Sequence, residues 1–224
     1  MITEIATFEL ATPSDLSDPS CPTTSDLHAF LTDLVADDGA HAAYFGQSAE
    51  NPNTAIVFID WDSTEAHHHF LTTPTYDRNN PSLYALMDRP TLKIVHLPPI
   101  PRALLGEQAD VKVTEVLFFY FRASLTDEDI AAIDAKMDEL RPALESSEMK
   151  GVYDGWAEEE DAVFEGVGGE ERCKLWVHVV GWESLEAHER MVKGEEFKNS
   201  REVVKGMEGF RGMVMLHMTP LVKV

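Results

Sequence analysis

The chain has 224 residues, 44% of them hydrophobic, which is enough for one large domain or for two domains of about 100 residues each. Its 40 acidic and 18 basic residues give a formal net charge of −22. Residues 1–110 carry −12 of this charge and residues 111–224 carry −10. Because neither half is basic, we expect no binding to nucleic acid and none to an anionic membrane.

The cysteine content and the N-terminal sequence indicate the cellular compartment in which we expect the protein. Cys21 and Cys173 are too few for a disulfide framework and show no CxxC spacing. The chain does not start with a basic segment followed by an apolar one, and no apolar run approaches about 18 residues. These features predict a cytoplasmic protein. We also expect Cys173 to be a small core residue.

In the first half, the hydrophobic pattern predicts the element order β-α-β-β-α-β. Apolar residues recur at helical spacing from Leu27, and Gly39 ends that helix. Asp62, with Glu65 three residues later, is typical of the start of a second helix. A shorter helical stretch is predicted after Pro81. The predicted strands are residues 2–10, 41–48, 54–61 and 92–97.

The same order is predicted again in the second half. Thr126 and Asp129 have the spacing of a capping box at the start of a helix, and Pro142 is expected to kink the end of that helix. A second helix is predicted from Glu183 to about Phe197. An acidic, glycine-rich insertion at residues 158–172 has no counterpart in the first half. The predicted strands are residues 113–121, 152–157, 174–182 and 212–218.

The two halves also repeat one sequence pattern. The segment 58–67 (FIDWDSTEAH) returns 121 residues later as 179–188 (VVGWESLEAH), and 94–97 matches 215–218 at the same spacing. Thr3-Glu4-Ile5 pairs with Thr114-Glu115-Val116 at a spacing of 111. We therefore predict an α+β fold of two ferredoxin-like βαββαβ repeats. The first repeat covers residues 1–97, the linker 98–112 and the second repeat 113–224.

The segment 44–52 (YFGQSAENP), followed by a strand and the 61–67 box (WDSTEAH), resembles the dimeric α+β barrel superfamily. More narrowly, it is similar to fungal proteins of the antibiotic-biosynthesis-monooxygenase-like group. The resemblance implies that two antiparallel sheets pack face to face, so that one chain forms a fused, pseudo-dimeric α+β barrel around a lumen. It also implies an enzyme of secondary metabolism that needs neither metal nor flavin. The fused barrel could associate further into a homodimer.

Residue-by-residue comparison with other members of this superfamily narrows the expected chemistry. Haem-degrading relatives have an asparagine on the first strand, and neither half of this chain has one there. Plant polyketide cyclases use a histidine where this chain has Tyr76, and their upstream tyrosine falls on Phe70. The resemblance therefore supports neither haem chemistry nor that cyclase pair, although Tyr76 could donate a hydrogen bond to a ligand carbonyl.

Strand parity predicts which side chains face the lumen. On the first strands we assign Thr7, Glu9, Phe118 and Tyr120 to the lumen. On the third strands we assign every second residue, counting back from Trp61 and from Trp182. On the last strands we assign His96 and His217. This predicts an apolar pocket for an apolar or aromatic, polyketide-like small molecule. The candidate catalytic residues are His96, His217, His178, Tyr120, Glu9 and Tyr76. The candidate ligand-binding residues are Trp61, Trp182, Phe118, Tyr44 and Trp156.

The histidines allow a catalytic and a structural interpretation. A histidine that titrates near neutral pH could remove a proton from a phenol or from a β-dicarbonyl carbon. Alternatively, each histidine hydrogen-bonds to its neighbours and fills space. His67 and His188 share a helix face with Phe70 and Met191, which favours a structural role. Because residues 67–69 (HHH) point about 100° apart on a helix, they cannot chelate one ion together, and we expect no metal and no cofactor.

Two functional hypotheses remain. The first is a cofactor-independent monooxygenase, cyclase or decarboxylase, and the second is a non-catalytic, hydrophobic-ligand-binding or stress-responsive barrel. A lumen filled by its own side chains would oppose the first hypothesis, whereas an open lumen reached by two histidines would weaken the second. The two halves differ at Glu9 and Tyr120, at Val57 and His178, and at Tyr76 and Phe197. These differences favour a single, asymmetric site.

Overall fold

The computed structural model describes residues 1–166, 169–218 and 222–224. The first half contains β1 (Ile2–Leu10), α1 (Pro22–Val35), β2 (Ala40–Gln47), β3 (Thr54–Trp61), α2 (Thr64–Phe70), α3 (Pro74–Leu86) and β4 (Met87–Leu97). The second half contains β5 (Val113–Arg122), α4 (Asp127–Leu144), β6 (Met149–Trp156), β7 (Ala162–Gly166), β8 (Gly169–Trp182), α5 (Leu185–Val192), α6 (Glu195–Lys205), β9 (Phe210–Met218) and β10 (Val222–Lys223). The predicted α+β fold with two antiparallel sheets is confirmed.

Each half contributes one sheet. The first sheet has the order β10-β2-β3-β1-β4, and the second has the order β6-β8-β5-β9 with β7 added to β8. β1 is central in the first sheet and pairs with β3 and β4, as β5 pairs with β8 and β9 in the second. The C-terminal strand β10 crosses to the first sheet and pairs with β2.

The two sheets pack face to face around an apolar core. The buried side chains between them include Ile5, Ile56, Phe58, Val95, Val116, Phe118, Leu175, Val177 and Val179. Removing such surface from water stabilises the fold by about 25 cal/mol per Å². The edges of the two sheets also join, because the Ala49 N–H donates to the His217 carbonyl at 2.7 Å and the Glu158 N–H donates to the His96 carbonyl at 2.8 Å.

Helices cover the outer face of each sheet. Helices α1 to α3 pack on the first sheet, with Leu27 of α1, Phe70 of α2 and Leu83 of α3 among the side chains in contact. The second sheet is covered by α4 to α6, which contribute Ile133 and Met137 among other side chains. No helix in the described ranges is both long and apolar enough to cross a membrane.

The linker is a packed part of the barrel. It contains a short 3₁₀ helix, Arg102–Leu105, whose Leu104 and Leu105 are buried among the side chains between the sheets. The Arg102 Nε donates to Asp60 Oδ2 at 2.8 Å, and the Ile100 N–H donates to the Thr3 hydroxyl at 3.0 Å. These contacts hold the linker against the first sheet.

Several element boundaries differ from the prediction. α3 begins at Pro74, where the Thr73 side chain accepts a hydrogen bond from the Tyr76 N–H, and it continues through Pro81. Proline suits the first turn of a helix because its missing N–H has no partner there. The helix predicted from Glu183 to Phe197 is divided in two, since α5 ends at Val192 and Gly194 precedes α6.

The acidic insertion at residues 158–172 contributes to two strands of the second sheet. β7 pairs antiparallel with the first part of β8, which begins at Gly169 rather than at the predicted residue 174. Residues 167–168 lie outside the described residues. Pro142 lies in the last turn of α4, which ends two residues later at Leu144.

The two helix caps in the repeated sequence box give a stability prediction. Ser63 Oγ accepts from the Ala66 N–H at 3.3 Å, and Ser184 Oγ accepts from the Ala187 N–H at 3.2 Å. Ser63→Ala and Ser184→Ala should each lower the free energy of unfolding by about 1 kcal/mol, because an N-terminal donor loses its acceptor. Urea denaturation measures this, with Ser82→Ala at an exposed position inside α3 as the control. Equal effects of caps and control would contradict the prediction.

Candidate functional site

The structure corrects the predicted lumen face. Thr7, Glu9, Phe118 and Tyr120 do line a cavity between the sheets. In contrast, the lumen assignment is wrong for Trp61, Trp182, His178, His96 and His217, which all point toward the helices. The reason is the register. Glu4 lies opposite Ile59 and opposite His96, and residues directly opposite each other share one face of a sheet.

The corrected orientation brings the histidines together in two equivalent clusters. We define the first cluster as Glu4, Trp61, His67, His96 and Glu159. The second cluster is Glu115, Trp182, His188, His217 and Glu50. Each lies where the end of a sheet meets the helix that follows it, and in each the buried glutamate and both histidines lie within 4.8 Å of one another.

In the first cluster, the polar groups form two sets of hydrogen bonds, which meet where Glu4 Oε2 lies 3.5 Å from His67 Nδ1. The Trp61 Nε1–H donates to Glu4 Oε2 at 2.7 Å. His67 Nδ1 lies 2.8 Å from His96 Nε2, and His96 Nδ1 lies 2.6 Å from Glu159 Oε1. The His67 ring stacks on Trp61 at a 24° interplanar angle. Every polar atom named here has a partner within the cluster.

The second cluster has the same residues in a different arrangement. The Trp182 Nε1–H donates to Glu115 Oε2 at 2.6 Å, and His217 Nδ1 hydrogen-bonds to Glu50 Oε1. His188, however, stands edge-on to Trp182 at 65°. Its Nε2 and that of His217 find no hydrogen-bond partner in the described part of the chain, although both residues are buried. In the described residues, the second cluster therefore has two unpaired imidazole nitrogens at the place where the histidines of the first cluster hydrogen-bond to each other.

Each cluster is completed by an acid from the other half of the chain. Glu159, at the start of the insertion, accepts from the His96 backbone N–H at 2.8 Å as well as from its ring. Glu50, at the end of β2, accepts from the His217 backbone N–H at 3.0 Å. A single carboxylate thus fixes both the strand end and the imidazole orientation.

Burial controls the charge state of the first cluster. It raises the pKa of Glu4 to about 7 and lowers the pKa of His67 to about 4. Although burial also lowers the pKa of His96, the hydrogen bond from its ring to Glu159 and the nearby carboxylates outweigh this, so that its net pKa is raised. The raised pKa favours the form of His96 that carries a proton on both ring nitrogens, and this form can donate to Glu159 and to His67.

The pKa values of Glu115 and His188 in the second cluster shift in the same directions as those of Glu4 and His67. Burial raises the pKa of Glu115 and lowers the pKa of His188 to about 4. Burial likewise raises the pKa of Glu50, but hydrogen bonds from His217 and Ser48 outweigh it and hold the net pKa below its ordinary value. At neutral pH, His188 is thus a neutral imidazole and Glu50 is a carboxylate.

A separate histidine–aspartate pair lies on β8 and β6. His178 Nδ1 hydrogen-bonds to Asp154, the residue directly opposite it in the ladder, and Arg141 of α4 forms an ion pair with the same carboxylate. Burial raises the pKa of Asp154, but the hydrogen bond from His178 and the charges of His178 and Arg141 outweigh it, so that the net pKa is lowered. The ionised Asp154 therefore keeps the proton of His178 on Nδ1.

The His178 pair borders a cavity between the second sheet and its helices, which we call the helix-side cavity. Its volume is about 70 Å³, and its walls are mostly apolar. Glu115, His178 and Trp182 line one part of it, and Met191 and Met213 line another. In the first half, Phe45 and Val57 occupy the positions of Asp154 and His178 and are packed in the core. The histidine–aspartate pair is therefore specific to the second half.

A larger cavity, which we call the lumen cavity, opens between the two sheets. Its volume is about 720 Å³, which lies in the range of small-molecule sites. Its polar lining includes Thr7, Glu9, Lys93 and Tyr120, and no histidine is among its described lining residues. The carboxylate of Glu9 is held by Thr54, whose hydroxyl donates at 2.6 Å, and by two asparagine amides. The lumen is thus neither filled nor reached by histidines.

The remaining candidate residues are engaged in structural contacts. The Tyr44 hydroxyl donates to Glu107 Oε1 at 2.8 Å on the lumen side. Tyr76 shares a hydrogen bond with the Tyr84 hydroxyl and packs against the core under α1 to α3. The Trp156 Nε1–H donates to Asp134 Oδ1 at 2.8 Å and lies on the helix side. None of these three lines the helix-side cavity within the described residues.

Sequence reasoning missed the four glutamates of the clusters. Glu4 and Glu115 were visible only as repeat markers, although an acid inside an otherwise apolar strand is itself a signal of a buried polar site. Glu50 and Glu159 gave no signal, because their histidine partners lie 167 and 63 residues away in the chain.

The face-to-face sheets with helices outside define a dimeric α+β barrel formed by one chain. No protein-family model matches the chain, and no curated protein matches it. An anthrone oxidase-like protein superposes with a TM-score of 0.63 at 14% identity, covering 100% of this chain and 92% of that one. A candidate monooxygenase of Lactobacillus acidophilus gives 0.57 at 15% identity, covering 99% and 93%. At these identities the likeness shows the shared fold, over both halves.

The buried Glu4 makes a pH-dependent prediction. Its pKa is 4.5 in the unfolded chain and about 7 in the folded one. The stability that its proton binding contributes is therefore fully present below pH 4.5 and is lost as the pH rises through about 7. The free energy of unfolding of the wild type minus that of Glu4→Gln should fall over this range. Taking the difference removes the opposite contribution of His67, which both proteins share.

Chemical denaturation at a series of pH values measures this difference. Glu128→Gln, at an exposed position in the first turn of α4, is the control, and the pH dependence of the Glu4→Gln effect should exceed that of this control. A Glu4→Gln effect that is equally independent of pH would show that Glu4 is ionised in the folded protein.

Proposed function

We propose that the protein is a small-molecule enzyme that removes a proton from an acidic carbon or phenol, with His178 as the general base. The observation that carries this proposal is the Asp154–His178 pair at the wall of an apolar cavity. Asp154 holds the proton on Nδ1, so that Nε2 keeps the lone pair that a base needs. The proposed substrate is an aromatic or polyketide-like compound, because the cavity walls are mostly apolar.

The proposed step moves one proton and leaves the electron pair on the substrate. The C–H or O–H bond breaks, Nε2 of His178 takes the proton, and Asp154 stabilises the imidazolium that forms. The resulting enolate or phenolate is the common intermediate for reaction with dioxygen or for attack on a carbonyl carbon. Arg201, which also lines the cavity, supplies positive charge near the developing anion. The likeness to an anthrone oxidase-like protein supports this choice of chemistry.

Substrate entry requires the helix-side cavity to widen. Its volume of about 70 Å³ is smaller than an aromatic ligand needs. Met149, Met191 and Met213 line it, and methionine side chains change rotamer easily and adapt to a ligand. The cavity can therefore enlarge without displacement of the sheet that carries His178.

Hydrogen–deuterium exchange at an acidic carbon tests the proposed step without knowledge of the final product. Anthrone and a panel of β-dicarbonyl compounds are incubated with the protein in D₂O, and loss of the C–H signal is followed by NMR. We expect catalysed exchange by the wild type and a loss of about 100-fold or more in His178→Gln, because the base is removed.

His41→Gln is the matched control for this experiment. His41 forms a histidine–aspartate pair with Asp62 at 2.6 Å, but on the surface and outside both cavities. Its replacement should leave the exchange rate unchanged. Catalysed exchange that survives His178→Gln would contradict His178 as the base, and absence of catalysis on every compound would favour the second function below.

The size of the lumen cavity favours a second candidate function, the binding of an apolar ligand without catalysis. In that case the ligand would contact Phe118, Tyr120 and Leu175 between the sheets. Leu175→Trp should weaken the binding of an apolar fluorescent dye by at least about tenfold, because the larger side chain occupies the cavity. Fluorescence titration measures this, with Val203→Trp at an exposed position of α6 as the control. Unchanged dye affinity in Leu175→Trp would exclude the lumen as the binding site.

A further inference from the structure

We propose that Glu115, His188 and His217 of the second cluster bind one divalent transition-metal ion. The three residues come from β5, α5 and β9, so no sequence spacing relates them. Two imidazoles and a carboxylate are a ligand set that zinc and ferrous iron both use in proteins. The sequence prediction of no metal considered only the neighbouring histidines 67–69, and these do not take part.

The ligand atoms have nearly the spacing that one ion requires. His188 Nε2 lies 3.7 Å from Glu115 Oε1, and His217 Nε2 lies 3.8 Å from Glu115 Oε2. Two ligands that are each about 2.1 Å from a tetrahedral ion lie about 3.4 Å apart. One ligand atom from each of the three residues lies within 4.8 Å of the others, so a contraction of at most about 1.4 Å brings the set to binding distance. They are too far apart to hydrogen-bond directly to each other.

The two imidazole nitrogens lack any other partner. His188 and His217 are 4% and 2% exposed, and neither Nε2 makes a hydrogen bond in the part of the chain that the structure describes. A buried polar atom without a partner costs about 1–3 kcal/mol. Coordination of one ion by both nitrogens would satisfy the pair at once.

The groups behind the ligands orient them for coordination. Glu50 accepts the Nδ1 proton of His217, which leaves a lone pair on Nε2. The Trp182 Nε1–H donates to Glu115 Oε2 and fixes the carboxylate. A histidine that binds a metal through one nitrogen and donates to a carboxylate through the other is the usual arrangement around protein metal ions.

In the first cluster the two imidazoles hydrogen-bond to each other, so this cluster serves as an internal comparison. His67 Nδ1 and His96 Nε2 are 2.8 Å apart and share a proton. An ion could bind there only by displacing the proton of this hydrogen bond, whereas the corresponding nitrogens of the second cluster have no such bond to break within the described residues. We therefore expect one bound ion per chain, in the second cluster only.

An ion at this site would reach solvent through the helix-side cavity, because Glu115 lines that cavity. The site is thus next to the proposed base His178 but does not depend on its role. Metal binding is measured without substrate, whereas proton exchange is measured on substrate. Either proposal can fail while the other stands.

Metal titration of the full chain tests the proposal. His68→Gln/His69→Gln serves as the background, because these two exposed histidines could bind metal weakly. The protein is stripped with a chelator and titrated with zinc, with anaerobic ferrous iron and with magnesium, each against a chromophoric chelator. We expect one zinc or iron ion per chain and no competitive binding of magnesium, which prefers oxygen ligands.

Variants in the two clusters locate the ion. His188→Gln and His217→Gln should each weaken zinc binding by about 100-fold or more, and Glu50→Gln by about 10–100-fold through the loss of its orienting hydrogen bond. His67→Gln, the equivalent of His188 in the first cluster, should leave the affinity unchanged. X-ray absorption of the zinc-loaded background protein should show two imidazole ligands, a result that does not require any cluster variant to fold.

Three results would overturn the proposal. The first is the absence of stoichiometric zinc or iron binding by the background protein. The second is binding that survives the replacement of His188 and His217 together. The third is a zinc-loaded protein whose absorption spectrum lacks imidazole ligands.

Discussion

Each half of the chain supplies one carboxylate to the histidine cluster of the other half. The geometry of both sites in this barrel depends on these two contacts. Glu159 of the second half binds His96 of the first, and Glu50 of the first half binds His217 of the second. Each carboxylate also accepts the backbone N–H of its histidine, at the point where the sheet edges join. A buried acid or imidazole is stable only when it is well paired, so barrel closure and the geometry of both clusters are established together.

The two equivalent clusters differ in how their histidines are paired and in the residues beside them. The first is closed by the hydrogen bond between His67 and His96, and its neighbouring core positions hold Phe45 and Val57. In the second half, the corresponding positions hold Asp154 and His178, and the cluster beside them has two unpartnered imidazole nitrogens. The second half therefore holds the groups on which both proposals rest, whereas the equivalent groups of the first half are paired or apolar. Both proposals place function where the copies differ.

The repeat made the fold predictable, because a pattern that occurs twice and alternates with helical segments specifies two βαββαβ units. The orientation of the strands was not predictable to the same degree. Both faces of β3 are apolar, one toward the lumen through Phe58 and the other toward the helices through Val57, so alternation alone cannot distinguish them. The pairing of Glu4 with His96 across β1 and β4 shows which face of the sheet turns toward the helices. This pairing is known only from the sheet register. The contact of Glu50 with His217 spans 167 residues and depends on barrel closure.

The tautomer of His217 is the most direct test of this pairing between the halves, because we infer that the carboxylate of Glu50 determines it. Long-range ¹⁵N–¹H correlation spectra of the histidine rings distinguish a protonated from an unprotonated ring nitrogen. The account predicts that metal-free His217 carries its proton on Nδ1, with Nε2 unprotonated, and that Glu50→Gln removes this preference. A proton on Nε2 with Nδ1 bare in the wild type would contradict it, because Glu50 would then accept nothing from the ring.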